Sequence, residues 1–206
     1  MIRAEDVVLI LLAAGISERF GDANKLEAEF LAQPVGFHVV TALEDVPFRD
    51  RLVVRDGCSL DFTTRGYTEI RNEQPGLGMS ESVKLGVKHA RDMDAAAVLI
   101  ALADMPRVTA AHIYRLLDAA DSSDAVVASS DGTEPRPPAV FGRDRFDFLL
   151  SLNGDEGARD LVKAGRHVVT SPAELIDIDT PEDLDRLRDL IHAPEAITRA
   201  GARRSG

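Results

Sequence analysis

Residues 7–14, Val-Val-Leu-Ile-Leu-Leu-Ala-Ala, form an unbroken apolar run that stops at Gly15. The run is too short to cross a bilayer, which takes about 20 residues. It is too uniform for a strand with one wet face, because such a strand alternates apolar and polar side chains. What remains is a strand buried on both sides, which needs a sheet with helices over both faces. A secretory signal would begin with positive charge, whereas Arg3 is followed by Glu5 and Asp6 and the run leads into a glycine-rich turn. The single cysteine, Cys58, makes neither an internal disulfide nor a metal cluster by itself. The chain therefore reads as intracellular and cytoplasmic.

Further short apolar runs at 51–55, 96–102, 124–128, 138–141 and 167–170 alternate with stretches of helical period. That is the pattern of βαβ units around a mostly parallel sheet. Met79, Val83, Val87 and Ala90 share one face of a helix expected over 79–91, and Ile113, Leu116, Leu117 and Ala120 mark another after Thr109. A last helix opens with Thr180 as N-cap, Pro181 at the first position and Asp183 three residues after the cap, and buries Leu184, Leu187 and Ile191. Gly86 interrupts the first of these helices at a cost of about 1 kcal/mol against alanine, which close packing of helix on strand would explain. Residues 129–138, rich in Gly, Pro and polar side chains, read as a surface loop. Residues 1–192 read as one domain, and 193–206, aperiodic and carrying Arg199, Arg203 and Arg204, as a mobile tail. With 35 acidic against 24 basic residues the net charge is −11, which argues against nucleic acid or a membrane surface as partner.

The apolar run empties into Leu12-Ala13-Ala14-Gly15-Ile16-Ser17-Glu18-Arg19-Phe20-Gly21, followed by Asn24-Lys25-Leu26. Small residues after a buried strand let the backbone approach a ligand, and successive amides there can point at phosphate oxygens. Arg19 offers a planar fork and Lys25 a point charge, a pair able to neutralise a triphosphate. Gly15 and Gly21 could instead serve only as turns beside two solvated cations. Neither G-x-x-x-x-G-K-[ST] nor G-x-G-x-x-G is present, so the loop argues for neither a P-loop ATPase nor a dinucleotide oxidoreductase.

Asp104 follows the run Leu99-Ile100-Ala101-Leu102-Ala103. Ligands of open parallel sheets collect at the carboxyl ends of strands, so Asp104 is a candidate to hold a cation; a turn aspartate before Pro106 is the plainer reading. Between Asn72 and Ser82 the chain passes Gly78 and enters a helix whose free amides, with Ser80 and Ser82, suit a base or a phosphate. An ordinary capped helix would look the same. None of His38, His89, His112, His167 and His192 shows metal or triad spacing, and each reads as structural or solvent-facing.

Leu-Ala-Ala-Gly-x-Ser-x-Arg-Phe-Gly with a downstream Asn-Lys-Leu resembles the molybdenum cofactor nucleotidyltransferases, and among them the cytidylyltransferase branch that makes molybdopterin cytosine dinucleotide. The resemblance continues through Gly78-Met79-Ser80-x-Ser82, Leu102-Ala103-Asp104-Met105-Pro106, Gly154-Asp155-Glu156-Gly157-Ala158-Arg159 and Asp177-Ile178-Asp179-Thr180-Pro181-Glu182-Asp183-Leu184, in family order over nearly the whole chain. It implies a three-layer α/β/α Rossmann-like fold and Mg²⁺-dependent transfer of CMP from CTP to molybdopterin or its molybdenum form. Arg19, Lys25 and Asp104 would carry catalysis. Leu12, Ala13, Ala14, Gly15, Ser17, Asn72, Gly78, Ser80 and Ser82 would join them around the nucleotide. Met105, Pro106, Pro138, Asp155 and Arg159 would face the acceptor, and Asp104 with Asp179 would hold the metal, Asp177 being the alternative second ligand.

Relatives using CTP carry Ala-Ala-Gly in the first loop and those using GTP Ala-Gly-Gly, and this chain has Ala13-Ala14-Gly15. A recipient molybdenum hydroxylase is the implied partner. The rivals are the same transfer from GTP or to another phosphorylated acceptor, such as a sugar or polyol phosphate, and a carrier without catalysis. Two stretches depart from the family pattern: Leu31-Ala32-Gln33-Pro34 replaces a Gly-Lys-Pro turn, and Pro135-Arg136-Pro137-Pro138 replaces a Gly-rich approach to the next strand.

Overall fold

The computed structural model describes residues 2–13, 20, 24–154 and 158–192. Its strands are β1 (Val7–Ala13), β2 (Glu29–Phe30), β3 (Gln33–Pro34), β4 (Asp50–Arg55), β5 (Thr68–Arg71), β6 (Ala97–Leu102), β7 (Val126–Ser130), β8 (Pro135–Gly142) and β9 (Arg166–Val169). Its α-helices are α1 (Val35–Ala42), α2 (Met79–Asp92), α3 (Ala110–Ala119), α4 (Phe146–Ser151), α5 (Arg159–Ala164) and α6 (Pro181–His192). One seven-stranded sheet has the order β5-β4-β1-β6-β8-β7-β9, and β8 alone runs against the rest.

The apolar run is β1, buried along its whole length. Val7, Leu9, Leu11 and Ala13 face one layer, with Val39 and Val40 of α1, Leu43 just past its end, and Ile113, Leu116 and Leu117 of α3. Val8, Ile10 and Leu12 face the other, with Val83, Val87 and Ala90 of α2 and Phe146 and Leu149 of α4. The unbroken apolar pattern thus records two cores sharing one strand. α2 comes so close that a Cβ on Gly86 would lie 2.6 Å from Ile10 Cγ2, which explains a glycine in mid-helix. From β1 the chain passes to β4 and β5 on one side, then returns to β6 on the other. The strand order therefore reverses between β1 and β6, the crevice where such sheets take ligands.

The helix expected after Thr109 is α3, and Thr109 Oγ1 accepts from the amide of His112 at 3.2 Å. At α6, Thr180 N donates to Asp183 Oδ2 at 2.9 Å while Asp183 N donates to Thr180 Oγ1 at 3.1 Å, the reciprocal box anticipated from the sequence. The surface loop expected over 129–138 is shorter, because Ser129 and Ser130 end β7 and Pro135 begins β8. The register jumps from Ala128↔Ala139 to Ser129↔Arg136, leaving Pro137 and Pro138 in a bulge where no ladder donor is required. Ser129 Oγ donates to the Pro138 carbonyl there at 2.7 Å. The Leu31-Ala32 turn joins β2 to β3 with φ of +47° and +63°, the two left-handed residues of a type I′ hairpin built without glycine. The expected tail, 193–206, lies outside the described residues. Among the described residues, no helix is long and apolar enough to cross a membrane.

Candidate active site

Three charged side chains from distant parts of the chain converge beyond the carboxyl ends of β1 and β6. Lys25 Nζ lies 2.6 Å from Asp104 Oδ2 and 2.8 Å from Asp179 Oδ1. Each is delivered by a local device. Asn24 caps a short 3-10 turn at Lys25–Glu27 by accepting from Leu26 N at 2.9 Å, and Leu26 is buried beneath it. Asp104 sits two residues past β6, with Ala103 N tied to Leu12 O at 3.0 Å. Its own carbonyl accepts from Ile178 N at 3.0 Å, which lays the segment leading to Asp179 alongside. Asp183 Oδ2, the α6 box carboxylate, also accepts from Asp179 N at 3.3 Å.

Burial pushes the Asp104 carboxyl above the usual aspartate range, although Lys25 draws it down, and the charges of Asp177 and Asp179 add to the rise. Lys25 is raised: burial opposes its charge, but Asp104 and Asp179 outweigh that. Asp104 Oδ1 is buried and has no hydrogen-bond partner among the described residues. A magnesium ion needs one or two protein carboxylates and completes its shell with phosphate and water, so this pair and its orphaned oxygen fit such an ion. No cluster of three or more His, Cys, Asp or Glu able to hold a metal occurs among the described residues.

The structure locates the other sequence candidates unevenly. Leu12 and Ala13 end β1 beside β6. Ala14, Gly15, Ser17, Arg19 and Asp155 lie outside the described residues. Asn72, Ser80 and Ser82 are buried, and Asn72 Nδ2 donates to Ser82 Oγ at 3.0 Å while Asn72 Oδ1 accepts from Gln74 N at 2.8 Å. Asn72 and Ser82 thus brace the turn into α2, whose N-cap is Gly78 at φ +85°. Met105 and Pro106 are buried, Met105 within the α3 side of the core. Pro138 is buried in the β8 bulge, and Arg159 is exposed at the first position of the six-residue α5. Asp177 Oδ1 lies 4.0 Å from Arg136 Nη1. That arginine was not anticipated as a site residue, and its only signal in the sequence was the departure from the family pattern at 135–138.

Four histidines have structural partners: His38 with the Phe30 carbonyl, His89 with Asp50, His112 with Ser129 and His167 with the Val162 carbonyl. A cavity of about 280 Å³ lined by Asp121, Val126, Arg145 and Arg166 opens at the amino ends of β7 and β9 and includes none of the converging charges.

One cation and two carboxylates thus meet at the switch point of a three-layer sheet, an arrangement suited to a divalent metal and a phosphate. The chain belongs to the MobA-like NTP transferase domain family, whose model matches residues 9–169. It is 32% identical over 205 residues to purine catabolism protein PucB of Bacillus subtilis (strain 168), covering 90% of this chain and 98% of that one. Phosphoenolpyruvate guanylyltransferase of Conexibacter woesei is 30% identical over 187 residues, 84% of this chain and 79% of that one. Among solved structures, Rv0371c of Mycobacterium tuberculosis H37Rv superposes with a TM-score of 0.73 at 22% identity, over 88% of this chain and 97% of that one. The same mycobacterial protein has been solved with manganese.

Proposed function

We propose that this chain transfers CMP from CTP to molybdopterin or its molybdenum form, making the cytosine dinucleotide and releasing pyrophosphate. The observation that carries the transferase reading is the Lys25, Asp104 and Asp179 convergence, with its orphaned carboxylate oxygen, at the sheet's switch point. An oxygen of the acceptor's phosphate forms a bond to the α-phosphorus, and the bond from that phosphorus to the bridging oxygen of pyrophosphate breaks, the electron pair leaving with pyrophosphate. The attacking phosphate is already ionised, so no side chain need remove a proton, and none of the histidines is required as a base. Catalysis becomes positioning and neutralisation of charge. Lys25 holds the two carboxylates together in the free protein and can exchange one of them for a phosphate oxygen as the triphosphate enters. Arg19 would join it on the triphosphate. Asp104 and Asp179 would hold Mg²⁺, which when bound supplies positive charge to the reacting phosphates. The Ala13-Ala14-Gly15 backbone, with Asn72, Ser80 and Ser82, would receive base and ribose, and Asp155 and Arg159 the acceptor.

Cytidine is supported by Ala13-Ala14-Gly15 in place of Ala-Gly-Gly, since an added methyl can restrict the space open to a larger purine, a discrimination of about 1 to 3 kcal/mol. PucB's place in purine catabolism is in keeping with a molybdenum hydroxylase that oxidises a purine as the recipient. Guanylyl transfer to a small phosphorylated acceptor is the second reading, favoured by the 30% identity to phosphoenolpyruvate guanylyltransferase. The test is the purified chain with Mg²⁺, either molybdopterin or phosphoenolpyruvate, and each of CTP, GTP and ATP, read by pyrophosphate release and product mass. Product from CTP and molybdopterin is expected. Product only from GTP and phosphoenolpyruvate would establish the second reading, and no turnover at all with tight molybdopterin binding would make the chain a carrier.

A further inference from the structure

We propose that Arg136 is an anchor for the acceptor's phosphate, on the same side of the sheet as the Lys25, Asp104 and Asp179 cluster, a role that rests on the transferase reading above. Because β8 runs against the other strands, its first residues lie at the carboxyl ends of its neighbours, the side on which ligands of such sheets collect. Arg136 is the second residue of β8, paired with Ser129 on the far side of the bulge. Arg136 falls in Pro135-Arg136-Pro137-Pro138, the stretch that departs from the Gly-rich approach of the family pattern.

The surroundings of the guanidinium hold it by charge without using its donors. Nη2 is 3.6 Å from Asp131 Oδ2 and Nη1 is 4.0 Å from Asp177 Oδ1, both beyond hydrogen-bond length, and the side chain is 36% exposed. Its Nε is buried and without a hydrogen-bond partner among the described residues. A buried donor left unmade is costly in a native protein and calls for a partner that arrives later. Asp131 is held mainly by its own turn, its Oδ1 accepting from Thr133 N, Thr133 Oγ1 and Glu134 N at 2.9, 2.6 and 3.0 Å, and only its Oδ2 faces the arginine, at 3.6 Å. Among the described residues the other carboxylate facing it is Asp177, at 4.0 Å. Asp177 stands two residues before Asp179, whose Oδ1 is 2.8 Å from Lys25 Nζ, which sets Arg136 at the edge of the reacting cluster. A planar fork with unengaged N–H groups, beside the proposed site and on the ligand side of the sheet, matches a phosphate better than it matches either aspartate.

The experiment compares the full chain with Arg136→Gln and Arg136→Lys, after thermal melts have checked that each is folded. Binding of molybdopterin, phosphoenolpyruvate and pyruvate is measured by titration, pyruvate keeping the carboxylate and lacking the phosphate. Steady-state KM for acceptor and for CTP is measured separately. Arg136→Gln is expected to weaken both phosphorylated probes about ten- to a hundredfold while CTP changes less than twofold, and Arg136→Lys to recover only part of the loss. Pyruvate binding the wild type as tightly as phosphoenolpyruvate would overturn the proposal, as would an equal loss of CTP affinity. Unchanged acceptor affinity in both variants, or no binding of either phosphorylated probe to the wild type, would overturn it too. Wild-type turnover with an unaffected Arg136→Gln sinks this inference and spares the transferase reading. Arg136-dependent binding with no turnover by the wild type does the reverse.

Discussion

Replacing a glycine inside a helix by alanine ordinarily stabilises by about 1 kcal/mol. At Gly86 the opposite is expected. The new Cβ would lie 2.6 Å from Ile10 Cγ2, 2.9 Å from Cδ1 and 3.1 Å from Cγ1, where carbon atoms rest near 3.5–4.0 Å. Ile10 has little room to turn aside, because it is fully buried in β1 between β4 and β6 and its branched Cβ restricts its rotamers. Overpacking of this kind costs about 1–3 kcal/mol, so the net effect of Gly86→Ala is a loss of about 1 kcal/mol after the helical gain. Ile10→Ala alone leaves a cavity and costs about 2–5 kcal/mol. In the double variant the alanine at 86 grows into that cavity, so the two changes should couple favourably by about 1–3 kcal/mol. Urea unfolding followed by circular dichroism gives all four stabilities. Additivity within about 0.5 kcal/mol, or a stabilising Gly86→Ala, would refute the close-packing argument. Because α2 carries Ser82, bonded to Asn72, and β1 leads into the glycine-rich loop, Gly86→Ala should also raise the KM for nucleotide several-fold while leaving acceptor affinity unchanged.

Asp104→Asn is expected to abolish turnover yet melt above the wild type at pH 7. A carboxyl whose folded value is raised loses stability on ionising, and that loss begins above its ordinary value of 3.8 and is complete above the folded one, so the two melting points should meet below pH 3.8. His112 carries the opposite sign: burial first, then Arg115, lowers it, so its contribution is present above 6.5 and disappears as pH falls through the folded value. The acid side of the wild-type stability curve should therefore be steeper than that of His112→Gln, and equal slopes would refute this. Ala32→Gly relieves one left-handed residue of the hairpin turn and should add about 0.5–1 kcal/mol in urea unfolding, with turnover unchanged. A loss of stability there would deny the strain.

The fold was legible wherever a local signal coincided with the tertiary answer. The 7–14 run predicted a doubly buried strand because both faces of β1 are packed, and the Thr180 and Asp183 box predicted the start of α6 because a cap is a local matter. The reversed β8 was not legible, since strand direction is set by which neighbours a strand meets and not by its own composition. Nor were the true ends of the 129–138 loop, where prolines that punctuate turns elsewhere sit inside a bulge. Asp104 could be picked out from its place after an apolar run, and Asp179 from a family motif, but nothing in the spacing of Lys25, Asp104 and Asp179 foretold one shared ammonium.

Taken by itself, the sequence determined the layered sheet, the helix caps and the transferase family, because periodicity, capping chemistry and ordered motifs each act over a few adjacent residues. The tertiary structure decided which carboxylate meets Lys25, that Asp177 faces Arg136 instead, and that Arg136 stands on the ligand side of the sheet. These depend on strand order and the return of the chain through residue 178, with Lys25 and Asp179 separated by 154 positions, and charge interactions at a few ångströms carry no trace in sequence at that separation.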